Sequence, residues 1–203
     1  MFSFKKKIPE KEVYYYNNGN IKTIRYKVDN DLHNEDGPAF QSWYENGNKE
    51  LEIYYYKDKK HREDGPALQH WFDNGNKEEE IYYINDKMDR KDGPAHIKYY
   101  YNGNINYIQY YIDNAVHKDD GPAEILYYKN GDILNIAYVI NNLNHREDGP
   151  SNIYFNTNGE KEETYYLYGK RYEIEEWLKL LKEKKSKHYQ EQKMIYDSKK
   201  YNL

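Results

Sequence analysis

The chain has 203 residues and no cysteine, which excludes disulfides and thiolate metal sites. No run approaches the ~20 apolar residues of a membrane span. The opening MFSFKKKIPEKE lacks the apolar stretch of a secretion signal, so a cytoplasmic protein is expected. Gly-rich phosphate loops, a Ser/His/Asp order and paired-carboxylate motifs are all missing. No catalytic residue, cofactor or metal is therefore expected. Apolar residues are scarce at 37%, against ~45–50% in ordinary domains, and mean hydropathy is -1.28. A net charge of -4 disfavours duplex nucleic acid and anionic membranes as main partners.

Such polarity alone would read as disorder. The 27 tyrosines argue for order, because Tyr favours strands and buries a large ring while its hydroxyl stays in water. These residues are arranged periodically. Asp-Gly-Pro starts at Asp36, Asp64, Asp92, Asp120 and Asp148, and Asn-Gly at Asn18, Asn46, Asn74, Asn102, Asn130 and Asn158. A Tyr keeps the same phase at Tyr26, Tyr54, Tyr82, Tyr110, Tyr138 and Tyr166. Each series steps by 28 residues (64 − 36; 46 − 18; 54 − 26). Six units thus fill residues 11–172 of a repeat domain spanning 1–172, followed by a tail at 173–203.

Asn-Gly between β-rich runs is a hairpin signal, because a type I′ turn needs two positive φ angles. A two-residue turn at Asn46-Gly47 puts Trp43 opposite Glu50, Gln41 opposite Glu52 and Ala39 opposite Tyr54; Asn74-Gly75 repeats the arrangement. Small residues then face the recurring Tyr in every such unit, ending with Ser151/Tyr166. The recurring HREDGPA, with Asp64, Gly65 and Pro66, becomes the link between hairpins: Gly for an unusual backbone, Asp for local bonds, Pro to open the next strand. Its His or Arg is expected to bond the same turn. The predicted fold is all-β, an open twisted antiparallel sheet of tandem hairpins.

The tail carries Ile174, Trp177, Leu178 and Leu181 at i, i+3, i+4 and i+7, one apolar helical stripe. It is expected to cap the last hairpin near Tyr154, Tyr166 and Leu167, with a partner-binding helix as the alternative.

Two ladders could carry chemistry. His33, His61, His117 and His145 each precede an Asp by three residues, a pattern that could bind metal. Asp89 breaks it, and a turn-building role is preferred. Tyr15, Trp43, Trp71, Tyr99, Tyr127 and Phe155 form an aromatic row, either a cross-strand ladder or a platform for single-stranded nucleic acid; facing Glu50, Glu78 and Glu162 argue against the latter. Apolar pairs Phe40/Ile53 and Leu68/Ile81 on one face give way to Ile97/Ile108 and Ile125/Ile136 on the other. The candidate binding residues are Trp43, Trp71, Tyr99, Tyr127, Phe40, Leu68 and Trp177, on a protein partner; monomer and homodimer both remain open.

Units of this form, Tyr-Tyr-x-Asn-Gly joined by His-x-x-Asp-Gly-Pro-Ala, resemble the Tyr/Asn-Gly variant of the MORN-repeat superfamily over most of the chain. The period is longer than in common MORN repeats and their second regular Gly is missing. The resemblance implies a sheet of consecutive hairpins without catalytic residues. It implies a protein-binding role, as a phage or viral inhibitor of a host defence protein such as a CRISPR nuclease, or as an antitoxin-like partner. Lipid-surface binding, proposed for some MORN proteins, is the further alternative.

Overall fold

A computed structural model describes residues 7–201, with side chains to Lys187; the first six residues of the opening segment lie outside it. Among the described residues, 22 strands precede one helix, Ile174–Tyr201. The long strands join, in chain order, into one open antiparallel sheet. The all-β repeat fold with a terminal cap is thus present.

Each central unit holds two hairpins rather than one. The long pair of the second unit is Phe40–Trp43 with Lys49–Ile53, and Gln41 stands opposite Glu52 as expected. Nearer the turn the expectation fails. Trp43 faces Lys49, because a bulge leaves Glu50 unpaired. The Gly47 N–H donates to the Tyr44 carbonyl and the Tyr44 N–H to the Asn48 carbonyl, each at 2.9 Å. Gly47 (φ +89°) has positive φ and Asn46 does not. The loop is therefore a turn followed by a left-handed glycine and a bulge, not type I′. Asn74-Gly75 behaves identically, with Gly75 at +86°.

The two-residue turns with paired positive φ lie elsewhere, at Asp29-Asn30, Lys57-Asp58, Asn85-Asp86, Asp113-Asn114 and Asn141-Asn142. They close short hairpins such as Tyr55–Tyr56 with Lys59–Lys60. Asn and Asp tolerate this conformation better than other side chains.

Successive units are held by side chains that bond backbone groups 25 to 27 residues ahead. Hydroxyls of Tyr16, Tyr44, Tyr100 and Tyr128 donate to the carbonyls of Trp43, Trp71, Tyr127 and Phe155 at 2.7–2.8 Å. Asn46 and Asn48 both donate to the Asp73 carbonyl, at 2.9 and 2.7 Å. In the short hairpins the Asp86 N–H donates to the Lys60 carbonyl, while its carboxylate accepts from the Lys60 N–H. One residue's N–H and carboxylate thus tie two short hairpins together.

The linker is explained by packing. Arg62 lies 4.0 Å from the Tyr54 ring centroid, and its Nε donates to Asp64 at 2.8 Å. That bond, with the guanidinium charge, holds the Asp64 carboxyl below its usual range. Gly65 does not have positive φ, contrary to expectation; a Cβ there would meet Arg62 Cζ at 2.9 Å. Glycine is needed so that the guanidinium can lie between ring and backbone. After Pro66, whose carbonyl accepts from Arg62, Ala67 is completely buried, as are Ala39, Ala95, Ala123 and Ser151.

The sixth unit departs from the pattern. Phe155–Lys161 keeps its pairing, but no bulge follows, so Tyr154 meets Glu162 and Asn152 meets Thr164. Every later residue slips by one, and the final turn falls at Tyr168-Gly169. Ser151 consequently bonds the Thr164 carbonyl and does not face Tyr166. The slip turns Tyr165 to the opposite face, where its ring centroid lies 5.0 Å from that of Trp177. Trp177 and Leu181 are buried while Ile174 and Leu178 are exposed. Trp177 Nε1 donates to the Arg146 carbonyl at 3.3 Å, and Lys184 pairs with Glu147. The cap therefore packs on the strand that holds Tyr165, Tyr166 and Leu167, as expected, with Trp177 set against Tyr165 and the last linker.

Candidate interaction surface

Strand alternation sends neighbouring residues to opposite faces. On one face, Phe40, Ile53, Leu68 and Ile81 lie in cross-strand register. The same line continues into polar His96, Gln109 and Glu124. On the other face the order reverses. Gln41, Glu52, Gln69 and Glu80 give way to Ile97, Ile108, Ile125, Ile136 and Ile153. The apolar stripe changes sides between the third and fourth units, as the residue pattern predicts.

The expected binding residues do not form one cluster. Trp43, Trp71, Tyr99 and Tyr127 belong to the row flanking the isoleucine line; Phe40 and Leu68 lie on the reverse face, and Trp177 is buried in the cap. The aromatic row faces Lys49, Lys77, Ile105, Ile133 and Lys161, so the expected facing glutamates are corrected to lysine and isoleucine. Those lysines are locally neutralised: Lys49 pairs with Glu52 and Lys77 with Glu80.

Glu80 is buried at 7% exposure, which pushes its carboxyl upward. Hydrogen bonds from Lys77, Tyr99 and Gln69 outweigh the burial and hold it below the usual range. Burial and the Glu80 contact push the Tyr99 phenol well up. On the reverse face burial lifts Tyr107 to about 12, and its hydroxyl lies 3.0 Å from His96 Nε2. Both phenols stay neutral near pH 7, and Tyr99 donates to Glu80.

The histidine ladder is a staple between hairpins. Nδ1 of His33, His61, His117 and His145 accepts the N–H of Lys57, Asn85, Asn141 and Tyr168, at 3.2–3.3 Å. Asp89 takes the place of His and accepts from Asp113 at 3.4 Å. Each acceptor thus serves the next unit's turn rather than its own. The recurrence of His or Asp as acceptors at this phase was the legible signal, but its target lay a full unit away. Among the described residues, no three His, Cys, Asp or Glu side chains are grouped to hold a metal ion, and no helix is long and apolar enough to cross a membrane.

No family model matches the chain, and no curated protein matches it.

Proposed function

We propose that this protein is a non-enzymatic scaffold that binds another protein across the isoleucine face of units four to six. One observation carries the reading. Five isoleucines stand in cross-strand line beside Tyr99, Tyr127 and Phe155. The flanking Ile105 and Ile133 remain 38% exposed. Contiguous apolar surface on a single-layer sheet favours macromolecular contact, and aromatic anchors concentrate binding energy. An inhibitor of a host nuclease and an antitoxin are two forms such a scaffold takes.

The test uses the immobilised full chain beside an Ile108→Arg/Ile136→Arg variant whose circular dichroism matches it. A cross-linked protein retained by the first and lost from the second supports the reading. Liposome sedimentation and salt-dependent titration of a poly-dT oligomer run in parallel. Binding to either of these, with no protein retained selectively, would replace it.

A further inference from the structure

The asparagine staple fails at one junction. Asn102 and Asn104 donate to the Lys129 carbonyl at 3.1 and 2.8 Å, as their equivalents do in earlier units. One unit later Asp132 stands where Asn104 stood. A carboxylate cannot donate, and Asn130 Nδ2 turns inward to Asp132 at 2.6 Å. The acceptor equivalent to the Lys129 carbonyl is the Thr157 carbonyl. Among the described residues no donor reaches it. Here, between the fifth and sixth turns, a cleft of about 960 Å³ opens, lined by Tyr128, Lys129, Asp132, Ile133, Phe155 and Thr157 among others.

The cleft combines a carboxylate and a carbonyl with aromatic and aliphatic walls, and it has lost the two N–H donors that fill the equivalent place elsewhere. Beside Lys129, the exposed Asp132 carboxylate and the Thr157 carbonyl can both accept from a flat cation carrying several N–H groups. We propose that this cleft receives an arginine side chain of the protein partner, an inference that rests on the scaffold reading above. A guanidinium supplies donors in a planar fork to Asp132 and the Thr157 carbonyl, and its face can stack on Phe155. The compact ammonium of lysine cannot stack in that way.

The probe is N-acetyl-arginine amide, titrated into the full chain and followed by amide chemical shifts, with N-acetyl-citrulline amide and N-acetyl-lysine amide as comparisons. Saturable shifts at Asp132, Phe155 and Thr157 are expected, with arginine about tenfold tighter than neutral citrulline, as befits a charge-assisted bond. Asp132→Asn restores the missing donor; it should raise the melting midpoint and abolish the arginine response. Asp132→Ala should lose the response without that gain. Absent or unsaturable shifts, equal binding of citrulline or lysine, or a response surviving in Asp132→Asn would overturn the assignment. If arginine fails while the isoleucine-face variant still loses its protein, only the cleft falls; if neither the probe nor a protein is retained, the scaffold reading falls too.

Discussion

At the scale of single residues, Gly and Asn of the Asn74-Gly75 pair have separate tasks. Gly75 takes the positive φ, so Gly75→Val should destabilise by about 1–3 kcal/mol. Asn74 instead donates to the Tyr101 carbonyl and accepts the Asn76 N–H. Asn74→Ala should therefore cost on the order of 1 kcal/mol through lost bonds; thermal melts separate the two, and equal losses would contradict this division. His145 is the titrating residue with the clearest consequence. Burial lowers its pKa below 6.5, Lys184 reinforces the shift and Glu147 opposes it. Its neutral Nδ1 accepts the Tyr168 N–H, so its contribution is complete above the unfolded value of 6.5 and is lost as pH falls below it. His145→Asp, copying Asp89, should reduce the loss of urea midpoint between about pH 7.5 and 5.5; an unchanged acid dependence would dismiss His145 as its source.

At the scale of elements, the corner beneath each long strand is the tightest place. Ala95 has no exposure, so Ala95→Trp should cost about 1–3 kcal/mol by overpacking, while Lys98→Trp on the opposite face should be mild. Equal melting shifts would refute the register there. The terminal helix buries Trp177 at 5% exposure, and Trp177→Ala should cost about 3–5 kcal/mol. Deleting residues 173–203 should cause aggregation or a clear loss of stability, because Tyr165 and the last linker become bare; a monomer with an unchanged melt in size-exclusion chromatography would remove the helix from the stability of the array. The helical stripe was legible from spacing. Which half of it would be buried was not, because that depended on the slip turning Tyr165 toward Trp177.

At the scale of the whole molecule, the units contact their neighbours in sequence, so stability should grow approximately unit by unit. Residues 67–94 form one complete period, and their removal joins Pro66 to Ala95, which retains the local linker sequence. The shortened chain should fold into the same kind of sheet with a lower melting midpoint. Loss of cooperative unfolding would show that the array depends on longer-range contacts. The isoleucine face is also a whole-molecule property: each unit contributes two isoleucines or fewer to the line, and only lateral pairing makes it continuous.

The 28-residue period, the β class, the Gln41–Glu52 register and the helical tail can all be read from the order of residues. These depend on local turn chemistry and period-two alternation, which neighbouring residues encode directly. The bulge that puts Lys49 opposite Trp43, the second set of hairpins and the one-residue slip of the last unit emerge only in the folded chain. The same holds for the targets of Tyr44, Asn46 and His61, because each bonds a backbone group almost one period away. A backbone carbonyl or N–H has no residue-specific signature, so only the stacked chain could show which partner each side chain meets.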